Sequence, residues 1–136
     1  MKENYSLFLV DDDPDDHLFF QQALKKINIS CTLTSVYSGV ELLDALTKRD
    51  NYNSETTPNP NFIVLDLNMP LLSGFQVLEK LKSNINLSSI PVFVMSTSQN
   101  KDDAKRVLDM GAISFYTKPN SGLKLQQIIA EMLISL

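Results

Sequence analysis

Five of the six residues from Asp11 to Asp16 are aspartates, and they follow directly on the apolar run Leu7-Phe8-Leu9-Val10. Carboxylates crowded at the end of a buried strand repel one another, and each raises its neighbours' pKa unless a cation intervenes. Residues of matching chemistry recur at the ends of later apolar runs: Asp66 after Phe62–Leu65, Ser96 after Val92–Met95, and Lys118 after Ser114–Thr117. A hard divalent cation would resolve the conflict among Asp11, Asp12 and Asp66. Mg²⁺ suits a site of few carboxylates plus a substrate phosphate, with Mn²⁺ as a substitute. Asn68, two residues after Asp66, offers a carbonyl oxygen to the same ion. Lys118 is either a functional cation or a plain salt bridge. Pro119 follows it, and a cis bond there, the minority form at about 5–6% of such bonds, would turn the lysine back toward the acids.

For the other residues in this region plainer chemistry prevails. Asp13 before Pro14 has the form of an N-cap followed by proline at the first helical position. Asp15 and Asp16 fall in the first helical turn, where the macrodipole favours acids, and are read as structural. His17, the single histidine, reads as a surface position on that helix. Cys31, the single cysteine, reads as a small half-buried residue before the second strand, and excludes both an intrachain disulfide and a cysteine-based metal centre. Ser96 taken alone is a strand-end hydroxyl.

Elements that position these groups are legible in the hydrophobic pattern. Leu7–Val10, Phe62–Leu65 and Val92–Met95 are continuous apolar runs, the mark of strands buried on both faces. Thr32–Val36 alternates like an edge strand, and Ser114–Thr117 is a short fifth strand. Helices are expected from Pro14 with Phe20, Leu24 and Ile27 inward, over 39–48 with Val40, Leu43 and Leu46, and over 73–83 with Phe75, Leu78 and Leu81. Two more follow over 101–110 with Ala104, Val107 and Leu108, then a last one with Leu125, Ile128, Ile129, Met132, Leu133 and Leu136. Gly111 reads as a C-cap. The polar stretch 51–61 reads as a surface loop. Five βα units imply a parallel sheet with helices on both faces. Ligands in such folds bind beyond the carboxyl ends of the strands, so Asp11, Asp12, Asp66, Ser96 and Lys118 should crowd one edge.

At 136 residues, with 43% hydrophobic and 21% charged residues, the chain suits one globular domain spanning 1–136. A net charge of -4 argues against nonspecific nucleic-acid binding, which needs a basic footprint. No apolar run approaches a membrane span, and Met1–Ser6 is no signal peptide, so a cytoplasmic location is expected.

The motifs "LVDDDP", "IVLDLNMPLLSGFQVL", "PVFVMSTS" and "DMGAISFYTKP" resemble the receiver domain of bacterial two-component response regulators over essentially the whole chain. The resemblance implies a single, stand-alone receiver with no output domain. Its fold would be a doubly wound (βα)₅ flavodoxin-like sandwich with strand order 2-1-3-4-5. It implies that Asp66 takes a phosphoryl group from a sensor histidine kinase or a phosphotransfer protein. Asp12 would bind Mg²⁺ directly, Asp11 through water, and Asn68 by its backbone carbonyl. Ser96 and Lys118 would hydrogen-bond the phosphoryl oxygens, and Ser96 with Phe115 would form the switch. The surface of the fourth helix, fifth strand and fifth helix would then engage a downstream protein, with the chain a monomer or a weak homodimer. Phosphoryl transfer needs chiefly positioning and charge cancellation, which this residue set supplies.

Three features depart from the family pattern. Thr97 stands where a small residue is common, which predicts slow transfer from small phosphodonors. Asn120 replaces a common aromatic, and the 51–61 loop is long. A haloacid-dehalogenase-like phosphatase would need an acid where Asn68 stands, and a flavin site would not begin with repelling carboxylates. A receiver-fold interaction module that acts without phosphorylation is the remaining alternative.

Overall fold

The computed structural model describes residues 4–47 and 59–136. Strands β1 (Tyr5–Val10), β2 (Cys31–Val36), β3 (Phe62–Leu65), β4 (Val92–Ser96) and β5 (Ser114–Thr117) alternate with helices. These are α1 (Pro14–Lys26), α2 (Gly39–Thr47), α3 (Gly74–Ser83), α4 (Lys101–Asp109) and α5 (Gly122–Ile134). All strand pairings are parallel and the order is β2-β1-β3-β4-β5, the doubly wound topology expected from the alternation. The expected helix end at residue 48 and most of the expected loop, residues 51–58, lie outside the described residues.

Successive side chains of a strand point to opposite faces, so each central strand feeds two cores. Phe8, Val10, Ile63, Leu65, Val92 and Val94 pack with α2, α3 and Val107 of α4. Leu7, Leu9, Phe62, Val64, Phe93 and Met95 pack with α1 and α5. The three central strands are buried along their whole length apart from Ser6, whereas β2 is only half covered, as its alternation predicted. Asn61 ties β1 to β3 at the lower edge: its N–H donates to the Ser6 carbonyl and its side-chain oxygen accepts from the Ser6 N–H, both at 2.7 Å.

In two helices part of the face that the periodicity suggested turns outward. In α2 the buried residues are Gly39, Leu42, Ala45 and Leu46, while Val40 is 54% exposed. Gly39 sits against Val77 and Leu72 so closely that a Cβ would meet their side chains at 2.5 and 2.9 Å, and this approach fixes the rotation of the helix. In α4 only Val107 is buried and Leu108 is 47% exposed, because the helix touches the core along one narrow line. Leu136 lies beyond α5 and is exposed, leaving Leu125, Ile128, Ile129, Met132 and Leu133 as the buried stripe. Gly111 follows the α4 C-cap with φ +106°, a left-handed conformation that suits glycine.

Candidate functional site

Backbone hydrogen bonds extend the sheet one residue past its strands. The Asp11 N–H donates to the Val36 carbonyl at 3.0 Å, Asp66 to Val10 at 3.0 Å, and Lys118 to Ser96 at 2.8 Å. The groups named from sequence are therefore placed by the ladder itself, on neighbouring strands at the carboxyl edge. Their side chains converge. Asp11, Asp12 and Asp66 each bring an oxygen to within 4.8 Å of the others. The Lys118 ammonium lies 2.9 Å from Asp11 Oδ2, 2.7 Å from Asp16 Oδ2 and 3.5 Å from Asp66 Oδ2. Asp11, Asp16, Asp66 and Lys118 form the polar side of a pocket whose other wall is Phe20, Met95 and Leu125.

Among the described residues the buried polar or charged side chains are Asp11, His17, Asp66 and Ser96, all in this region. Ser96 is fully buried, and its Oγ accepts from the Ser98 N–H at 3.3 Å and from Asn68 Nδ2 at 3.4 Å. The Asn68 amide also donates to the exposed Thr97 hydroxyl, and its backbone N–H donates to Asp66 Oδ1, each at 3.4 Å. Phe115, beside Val94 in the register, is partly buried against the core that includes Val107. Arg106 of α4 stacks over the Phe75 ring of α3 at 4.0 Å.

Electrostatics follow from burial and charge. Loss of solvent pushes the Asp11 carboxyl up to about 7, against the opposing pull of the Asp13 N–H and Lys118. Burial likewise raises Asp66, with the Lys118 charge and the Asn68 N–H working the other way. Burial is the largest single influence on Asp16 and would raise it, but the hydrogen bonds to Lys118 and Asp11 and the Lys118 charge together outweigh this, and its pKa is lowered. Lys118, which burial would discharge, is held above its ordinary value by Asp16, Asp11 and Asp66. An all-oxygen donor set with three carboxylates fits a hard divalent cation.

Three readings from sequence change here. Asp16 is not merely a helix-dipole acid, since it is the carboxylate nearest to Lys118. Asp13 caps α1 by accepting from the Asp15 N–H, but its own N–H donates to Asp11 Oδ1 at 2.9 Å. An acid at Asp16's position three residues after the cap would ordinarily reach back to that N–H; with it occupied, the carboxylate is free for Lys118. His17 is 4% exposed rather than on the surface: Nε2 lies 2.7 Å from the Asp11 carbonyl and the ring packs on Tyr37 at 4.4 Å. Its position three before Phe20 and seven before Leu24 was a helical-face signal for burial. Finally, no peptide bond among the described residues is cis, so Lys118-Pro119 is trans. The direction of β5 and the pull of three carboxylates bring the lysine to the acids without that turn.

A family model described as the response regulator receiver domain matches residues 7–130. The chain belongs to this family. Response regulator Rcp1 of Synechocystis sp. is 35% identical over 112 residues, 82% of this chain and 75% of that protein. The Mn²⁺-bound crystal form of Rcp1 superimposes with a TM-score of 0.86 at 31% identity, covering 97% of this chain and 96% of that one. A phosphorylated cyanobacterial phytochrome response regulator, RcpA, gives 0.84 at 32% identity, with 95% and 91% covered. The receiver thus has the five parallel strands and five helices of that fold, with Asp11, Asp12 and Asp66 gathered at one edge of its sheet. Among its described residues no helix is long and apolar enough to cross a membrane.

Proposed function

We propose that this receiver accepts a phosphoryl group on Asp66 from a phosphohistidine of a sensor histidine kinase or phosphotransfer protein, within the cytoplasm. The observation that carries this reading is the convergence of Asp11, Asp12 and Asp66 oxygens within 4.8 Å, with the Lys118 ammonium 3.5 Å from Asp66. An Asp66 carboxylate oxygen attacks phosphorus as the P–N bond breaks, and the electron pair leaves with the imidazole. Asp11, Asp12, Asp66 and the Asn68 backbone carbonyl would hold Mg²⁺, which would supply positive charge against the phosphoryl oxygens. Lys118 supplies the second positive charge, and the buried Ser96 hydroxyl donates to a phosphoryl oxygen.

Ser96 links that event to the surface. Its Oγ holds the Ser98 N–H, and Ser98 Oγ in turn donates to Asp103 of α4 at 2.8 Å. When Ser96 turns to the phosphoryl group, the first turn of α4 loses a restraint and Phe115 gains room to turn inward. Because α4 buries a single side chain, a small bias suffices to change the α4–β5–α5 face presented to a partner protein. The domain acts in this reading as a signalling switch and not as an enzyme with turnover.

The test is phosphorylation by purified histidine kinases from the same genome, with Mg²⁺, on wild type and Asp66→Ala. Label is expected on wild type alone. Equal label on both proteins would overturn the assignment, and none on either with a competent kinase would favour the phosphorylation-independent module.

A further inference from the structure

Lys118 is the only cation in contact with the acidic edge among the described residues, and the partner nearest to its ammonium is a residue outside the proposed metal set. Asp16 Oδ2 is 2.7 Å from Nζ, against 2.9 Å for Asp11 and 3.5 Å for Asp66. Asp16 is not part of the group whose oxygens converge within 4.8 Å. An ammonium has three donors, and here each has one carboxylate to face. Two of those carboxylates are the ones a divalent cation needs. Only Asp16 can keep the lysine occupied without competing for metal.

We propose that Asp16 is a positioning residue for Lys118, holding its ammonium beside the site so that Asp11 and Asp66 stay available to Mg²⁺. The proposal rests on the metal reading above. Its physical basis is local. The Asp13 N–H, the usual destination of an acid at this helix position, is engaged by Asp11 Oδ1, which leaves the Asp16 carboxylate to project into the pocket. The Asp16 N–H donates to the Asp13 carbonyl at 3.1 Å, so the residue is anchored in the first turn and its reach is set. Without Asp16, the ammonium has only Asp11 and Asp66 to neutralise it. It would draw toward them, since its stem, rooted just past the end of β5, confines it to the pocket with a side chain only 18% exposed. Ammonium and Mg²⁺ would then compete for the same oxygens.

The experiment is a double-mutant cycle on Mg²⁺ affinity, measured by titration calorimetry with Asp16→Asn, Lys118→Met and the pair. Asp16→Asn is expected to weaken Mg²⁺ binding by about tenfold or more when Lys118 is present, as loss of an outer partner of a metal site does. In the Lys118→Met background the same change should cost about twofold, the residue of a screened charge effect. Asp16→Glu, which keeps the carboxylate, should recover most of the affinity. An equal loss in both backgrounds would show that Asp16 acts only as a negative charge and would overturn the proposal, as would no loss in either. Wild type that binds no Mg²⁺ would remove the metal reading and this proposal together. Melting of each variant without metal separates affinity changes from unfolding.

Discussion

Asp11 is the most constrained residue of the site. Its N–H bonds the Val36 carbonyl, its carbonyl meets His17 Nε2, and its two carboxylate oxygens meet the Asp13 N–H and Lys118. The His17 contact matters because it fixes the Asp11-Asp12 peptide plane, and with it the direction from which Asp12 leaves the chain. His17→Phe retains a ring for Tyr37 but leaves a buried carbonyl without its donor. It should destabilise the fold by about 1–3 kcal/mol, read as a lower urea midpoint with an unchanged slope. A variant as stable as wild type would mean that water replaces the imidazole. Chemistry at this scale was largely legible in sequence: the acids, the lysine and the serine could be named from residue type and strand ends. The Asp16–Lys118 pair was not, because it depends on which N–H another carboxylate had already taken.

At the scale of elements, the β3–α3 connection shows how tightly the site is framed. Asp66 ends β3, and Gly74 begins α3 with its N–H donating to the Leu67 carbonyl at 2.9 Å. A Cβ at Gly74 would collide with the Asp66 carbonyl oxygen and lie 2.6 Å from Leu67 Cα, both backbone atoms that cannot swing aside. The helix is started by a full capping box, with Ser73 Oγ accepting from the Gln76 N–H and Gln76 Oε1 accepting from the Ser73 N–H. Gly74→Ala should therefore cost about 3 kcal/mol through forced backbone displacement, measured by chemical denaturation. It should also lower phosphorylation in the folded fraction, since the displaced atoms belong to Asp66. A loss below about 0.5 kcal/mol would show that the loop yields. Helix existence was readable from period and caps, but helix rotation was not. In α2 the spacing Val40, Leu43, Leu46 fits a helix as well as Leu42, Ala45, Leu46 does, and only the close approach of Gly39 to Val77 selects the second.

Across the whole molecule, stability and protonation are linked, and the proposed metal would join that linkage. The Asp11 carboxyl titrates at about 7 in the folded chain against 3.8 ordinarily, so between these values the folded state keeps a proton that the unfolded state has released. That contribution is present at low pH and is lost as pH rises through about 7. Asp16 acts with the opposite sign: its lowered value stabilises the fold above the ordinary carboxylate pKa, and that stability is lost on acidification. If Mg²⁺ binds as proposed, it would compete with the proton on Asp11, so the rise in melting temperature on adding Mg²⁺ should grow between about pH 5 and about pH 8. With Mg²⁺ at about a hundred times its dissociation constant, the gain at the upper end is about 2.7 kcal/mol. Thermal melts with and without metal at three pH values check this. A Mg²⁺ shift independent of pH would exclude Asp11 as the linked group, and no shift at any pH would count against metal binding at this edge.

The sequence by itself determined the five βα units, the parallel sheet and the family, because burial on two faces and strand-end acids leave their mark in residue order. It also named Asp11, Asp12, Asp66, Ser96 and Lys118 as one group, since in an open α/β sheet the carboxyl ends of all strands share an edge. Tertiary structure alone decided who pairs with whom. Lys118 faces Asp16 before Asp66. The lysine arrives through a trans bond, and His17 is buried under the acidic loop. These outcomes turn on angstrom distances between elements about a hundred residues apart in the chain, such as Asp16 and Lys118, and on competition for single N–H groups. Neither quantity is written in local pattern.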